Sequence, residues 1–149
     1  MADLPQLYND LVRFETELWN AVDARLRKDS DLTLARLETM RVIAGHNDCR
    51  VFDIADELSV TVGGISKIVD RIEAAGHCRR RANPEDRRSS IIELTPPGRK
   101  ALTEATVVFE DELELRIGSV LSESALKQLG AALSKLRAAQ RLTRKTDQR

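Results

Sequence analysis

Apolar residues recur at three- and four-residue spacing along the first thirty positions: Leu4, Leu7, Tyr8, Leu11, Leu18, Val22 and Leu26. That period lays them along one stripe of a long helix. A second helix follows from Leu34, Leu37, Met40, Val42 and Ile43, with Thr33 as its N-cap. Gly45 to Asp48 break it. Phe52 to Leu58 read as a third helix and Thr61 to Ala75 as a fourth, and Gly76 stands where a helix-ending glycine belongs. His77 to Ala82 and Ser90 to Leu94 then read as short strands. Between them, Asn83-Pro84-Glu85-Asp86 has turn chemistry, with Asn first and Pro second. Thr95-Pro96 opens a fifth helix as N-cap and first-position proline. It runs through Leu102, Val108, Phe109, Leu113 and Ile117 to Gly118. A sixth begins after Ser122 and carries Leu126, Leu129, Leu133 and Leu136, and the polar tail from Thr143 is expected to fray. The order predicts a mainly α protein with a small β wing.

Within this order, Ile54, Ala55, Leu58, Val60, Ile65 and Ile68 have the spacing of a helix-turn-helix. Ala55 is the small residue that two steeply crossed helices need. Ser59 occupies the turn, where many such motifs have glycine. On the fourth helix, Val62, Ile65, Ile68, Val69 and Ile72 fall within an arc of roughly 120°. Gly63, Gly64, Ser66, Lys67, Asp70 and Arg71 lie opposite. Two bare glycines near a helix start let backbone approach a phosphate or a base edge; the alternative is that they ease packing.

Composition narrows the classes. The chain has 149 residues, 42% apolar and 32% charged, which fits a globular domain with a sizeable core. Aromatics are only 3%, too few for stacking platforms on single-stranded nucleic acid. No apolar run approaches the roughly 20 residues of a membrane span, and Met1 to Asp10 lack the apolar core of a signal peptide. Two cysteines exclude a disulfide scaffold and make a reducing cytoplasm the expected compartment. Charge is balanced overall, 24 basic against 24 acidic residues, but unevenly spread. Thr61 to Lys100 hold nine basic and five acidic residues, whereas Ala101 to Leu133 hold two and six. A local basic block points to a polyanion-binding face; the alternative is a solvated surface of ion pairs. Arg87 and Arg88 sit at the wing tip, where guanidinium groups reach a minor groove.

These features resemble the MarR family of winged helix-turn-helix regulators, from about Leu4 to Leu136. The resemblance is carried by Asp53-Ile54-Ala55 and by Ser66-Lys67-Ile68-Val69-Asp70-Arg71-Ile72-Glu73-Ala74-Ala75-Gly76. It continues through Arg79-Arg80, the wing Asn83-Pro84-Glu85-Asp86-Arg87-Arg88-Ser89 and Leu94-Thr95-Pro96-Pro97-Gly98-Arg99. It implies a homodimer, with residues 1–31 and 101–149 as dimerisation helices and residues 32–100 as the DNA-binding domain. It implies that Thr61, Val62, Gly63, Gly64, Ser66, Lys67 and Arg71 face a major groove. Arg88 becomes the minor-groove probe, Asp86 its support, and Arg87 a phosphate contact. It further implies a small aromatic or phenolic effector between the dimerisation helices and the winged domain, with Trp19, Arg13 and Met40 as lining or as ordinary packing residues. Leucines on the first, fifth and sixth helices argue for a dimer independently, since one small winged domain cannot cover them.

The resulting expectation is a cytoplasmic, sequence-specific regulator of duplex DNA, acting as a repressor on a pseudo-palindromic operator. The rival is a protein-interaction adaptor built on the same winged unit. No catalytic triad, phosphate loop or paired-carboxylate signature supports an enzyme. His46-x-x-Cys49 has zinc-ligand spacing, but His77 and Cys78 are neighbours on a strand and face opposite ways. Buried structural cysteines are the expectation, and neither metal nor cofactor is assigned.

Overall fold

The computed structural model describes residues 1–147, and the element order follows the hydrophobic pattern: α1 Leu4–Asp29, α2 Leu34–Gly45, α3 Val51–Leu58, α4 Val62–Ala74, β1 Cys78–Ala82, β2 Ser90–Leu94, α5 Pro96–Leu113 and α6 Glu123–Asp147. The chain divides into two compact units, Met1–Glu112 and the residues from Leu113 onward.

In the first unit, α1 starts under an Asp3 cap whose carboxylate accepts the Gln6 amide at 3.0 Å. Only Val22 and Leu26 of its stripe are buried. Leu4, Leu7, Tyr8, Leu11 and Phe14 stay exposed. Near its end Asp23 fastens the next helix: its Oδ1 accepts the Leu34 amide at 2.9 Å, while Oδ2 accepts Arg27 Nε at 2.7 Å. Burial works to raise the Asp23 pKa, but the Leu34 amide and Arg27 outweigh it and hold the carboxyl below its ordinary value. Leu26, Leu32, Leu37, Met40, Ile54, Ile65, Val69, Ile72 and Ile92 form the core beneath.

The helix-turn-helix closes where the Val60 amide reaches the Ala55 carbonyl at 3.0 Å. Ser59 takes φ 56° and ψ 43°, the left-handed conformation that favours glycine. A side chain in that region costs about 1–2 kcal/mol. The strands pair antiparallel from Cys78↔Leu94 to Ala82↔Ser90. A further rung comes from outside the hairpin: the Ile92 amide donates to the Cys49 carbonyl at 2.8 Å. It ties the loop after α2 to the wing.

The start of α5 is pressed onto the start of the wing. The Thr95 hydroxyl accepts the Gly98 amide at 3.1 Å and donates to the Gly76 carbonyl. Gly98 then passes so close to the His77 carbonyl that a Cβ there would overlap it.

Two end regions depart from the expected pattern. The fifth helix does not run regularly to Gly118, because Glu114–Gly118 is a π-helical turn closed by the Ser119 amide on the Glu114 carbonyl at 2.8 Å. The Glu114 carboxylate lies in the space that a Cβ on Gly118 would take. The expected fraying from Thr143 is not observed either: α6 continues to Asp147. Arg144 and Lys145 in its last turn complement the negative end of the helix dipole. Gln148 and Arg149 lie outside the described residues. On α6, Leu129, Leu133 and Leu136 are exposed at helical spacing.

The Gly98 contact yields a stability prediction. Gly98→Ala forces backbone apart between α5 and β1 and should cost about 1–3 kcal/mol or more. Urea unfolding monitored by circular dichroism would measure it; an unchanged midpoint would contradict the close approach.

Candidate nucleic-acid interface

Thr61 is the N-cap of α4, and its Oγ1 accepts the Gly64 amide at 3.1 Å. The hydroxyl proton is thus left to donate outward. The amides of Val62 and Gly63 precede the first intrahelical bond and have no acceptor within the helix. A Cβ on Gly63 would meet nothing within 4 Å, and one on Gly64 would meet only the Thr61 hydroxyl at 3.1 Å. The first turn of α4 therefore presents nearly bare backbone. Gly63, Gly64, Lys67 and Arg71 are exposed and Ser66 is half-buried. Val62 differs from its place in the apolar arc: Ile65, Val69 and Ile72 are buried, whereas Val62 is 51% exposed. At the first helical position it extends beyond the packed surface.

Ion pairing sorts the cations of this region. Arg79 and Arg81 both bind Glu93, and Arg81 also reaches Asp48 at 2.6 Å. Glu93, held first by Arg81 and then by Arg79, has its pKa pulled below the usual value. Arg80 binds Asp70 at 2.7 Å and Glu73 at 3.0 Å, and its amide also donates to Glu73 at 3.1 Å. Asp70 therefore faces the wing strand instead of joining an open polar face. Sequence reading missed this clamp, although Asp70 and Glu73, three apart on one helix, share a face next to a basic strand. Among the described residues Lys67, Arg71, Arg87 and Arg88 have no carboxylate partner, and all four are exposed.

At the wing tip the Asp86 amide donates to the Asn83 carbonyl at 3.3 Å, and the Glu85 amide to Asn83 Oδ1 at 3.1 Å. Asp86 does not hold the Arg88 guanidinium. Its Oδ1 accepts the Arg88 backbone amide at 2.9 Å, a second side-chain turn. A carboxylate two residues away meets the near amide before it can meet the end of a long side chain. Asp86 thus shapes the loop, and both arginine heads extend into solvent.

Cys49 and Cys78 are buried, and burial, the largest cause, pushes both thiols up to about 11. Cys78 Sγ lies 3.9 Å from the Val69 carbonyl, inside α4. His46 is engaged by the Val42 carbonyl at 2.9 Å and by Glu57 at 3.4 Å. Among the described residues no group of three His, Cys, Asp or Glu is arranged to hold a metal. The three effector-pocket candidates are not brought together. Met40 is fully buried in the core, Arg13 is exposed, and Trp19 borders a shallow hollow with Glu15, Thr16 and Asn20.

A tight helix pair, a cationic second helix and a two-stranded arginine-tipped hairpin define a winged helix-turn-helix protein. The MarR family model matches residues 30–89. A helix-turn-helix-type transcriptional regulator from Bacillus cereus is 29% identical over 129 residues, covering 85% of this chain and 83% of that one. In the other curated relatives the chain spans only 44% to 62% of the relative's own length. Sco3205, a MarR family regulator from Streptomyces coelicolor solved with DNA, superposes with a TM-score of 0.85 at 20% identity, over 93% of this chain and 88% of that one. MepR of S. aureus, also solved with DNA, gives 0.77 at 27% identity, over 89% and 97%. The chain is thus similar to the MarR family of winged helix-turn-helix transcription regulators, with the family match carried by its winged unit.

The buried thiols predict an alkaline limit. Their folded pKa of about 11 lies above the ordinary 9.0, so the unfolded chain ionises first. Stability from this source is intact at neutral pH and falls as pH rises from about 9 to about 11. Urea midpoints across that range should drop less in a Cys49→Ala, Cys78→Ala variant than in wild type. Equal slopes would show that the thiols do not carry the effect.

Proposed function

We propose that the protein is a homodimeric, sequence-specific repressor that occupies a pseudo-palindromic duplex operator in the cytoplasm, and that a small aromatic or phenolic effector releases it. One observation carries the DNA reading. The arginines of β1 are consumed in ion pairs, while Lys67 and Arg71 on α4 and Arg87 and Arg88 on the wing are exposed without carboxylate partners among the described residues. Cations left unpaired at two separate places suit a polyanion long enough to touch both. The DNA complexes of Sco3205 and MepR support the same reading.

In this reading α4 enters the major groove with its uncovered first turn foremost. Arg88 enters the minor groove, and Arg87 and the Thr61 hydroxyl take phosphates. The dimer is supported by apolar residues that nothing covers within either unit: Leu4, Leu7 and Leu11 on α1, and Leu129, Leu133 and Leu136 on α6. Among the described residues no helix is long and apolar enough to cross a membrane, so these faces call for a protein partner. A second copy covers them symmetrically and sets two α4 helices about one DNA turn apart.

Two measurements test the proposal. Sedimentation at low micromolar concentration should show a dimer that dissociates only on unfolding; a folded monomer would remove the two-half-site arrangement. With a duplex selected from a random pool, Arg87→Ala and Arg88→Ala should each weaken binding by about 1–3 kcal/mol per half-site. Arg87→Ala should also lower the slope of log affinity against log salt by about one for each phosphate that is no longer neutralised, with sequence preference unchanged. Salt-independent binding would refute a DNA-docking role for these cations.

A further inference from the structure

We infer that Val62 determines sequence specificity by packing its isopropyl group against the C5-methyl of a thymine in the major groove. The inference rests on the DNA-binding reading above and names the base that the first turn of α4 selects.

Within α4 this is the exposed large apolar side chain; Val60, in the turn before the helix, is exposed to the same degree. Val62 is 51% exposed on a helix whose other β-branched residues are buried (Ile65, Val69 and Ile72) or half-buried (Ile68). Behind it Gly63 and Gly64 have no side chains. The next side chain on the same flank is Ser66, one helical turn later. No acidic residue occupies the first turn of α4, although acids are stabilising at that position. An acid there would oppose phosphate. The exposed cations on the same helix are Lys67 and Arg71, without partners among the described residues. An apolar group framed in this way by open backbone and cations suits an apolar point within a polyanion better than it suits a protein surface.

Duplex DNA carries one such group in the major groove, the C5-methyl of thymine. Hydrogen-bonding atoms on base edges find no side-chain partner at residues 62–64. Side-chain donors and acceptors on α4 begin with Ser66 and Lys67 in the second turn, and the Thr61 hydroxyl and the open amides of Val62 and Gly63 are left for phosphate. The first turn therefore distinguishes thymine from the other bases by shape and desolvation. Removing a single methyl from such a contact lowers affinity by roughly fourfold per half-site, the ratio set by one buried methyl.

The test replaces thymine by uracil, which removes only the C5-methyl. In an operator selected from a random duplex pool, each thymine is replaced in turn and affinity is measured for wild type and for Val62→Ala. Exposure at position 62 leaves the core untouched, and thermal melting of the variant confirms that it folds. The expected result is one thymine per half-site whose replacement weakens wild type by roughly fourfold and leaves Val62→Ala unaffected. Selective binding in which every uracil penalty persists in Val62→Ala would overturn the inference while leaving the DNA-binding reading standing. Absence of any duplex-selective binding would overturn both.

Discussion

The attachment of Arg80 to Asp70 and Glu73 fixes the geometry on which the rest of the winged unit depends. Three hydrogen bonds join the first wing strand to the C-terminal part of α4. They set the spacing between the α4 cations and the tip cations. The clamp also pairs two exposed carboxylates of α4 with a cation, which lowers their repulsion of phosphate. A single guanidinium thus both aligns the two cationic surfaces and neutralises the acids between them.

Around that clamp the unit is closed by backbone contacts. Gly98 lies against the His77 carbonyl, the Thr95 hydroxyl bridges to Gly76, and the Cys49 carbonyl takes the Ile92 amide. The first two join the root of the hairpin to the segment after it, and the third joins the loop after α2 to β2. The wing is therefore held at its base from both sides, and its tip is shaped only by local turns at Asn83 and Asp86. A firm base with a locally folded tip suits an arginine pair that must be presented at a fixed distance from α4.

Features set by local periodicity and capping were legible in the sequence: the Thr33 and Thr95 caps, Gly76 at φ +78°, the two wing strands with their turn and the helix-turn-helix spacing. Features set by distant partners were not. The Asp23 contact with Leu34, the Arg25 contact with buried Glu112 and the Cys49 rung each join residues whose pairing no local pattern encodes. Charge counting flagged the region from Thr61 to Lys100 but could not tell paired arginines from free ones, because Glu93 and Asp48 reach Arg81 only through the fold. Asp86 was legible as a support for Arg88, but the turn that brings its carboxylate to the Arg88 backbone amide was not. The π turn at Glu114–Gly118 escaped because its glycine reads equally well as an ordinary helix end.

The position of Cys78 links thiol chemistry to α4. Its sulfur faces the Val69 carbonyl in the buried space between the sheet and the helix. Burial slows any reaction there by keeping reagents out and the thiol protonated. An adduct formed during a transient opening could not be folded back into that space. It would wedge α4 away from β1 and turn a momentary fluctuation into a lasting one. The same packing that shields the sulfur would make any damage that reaches it irreversible in mechanical terms, because the displaced element is the helix that carries Lys67 and Arg71.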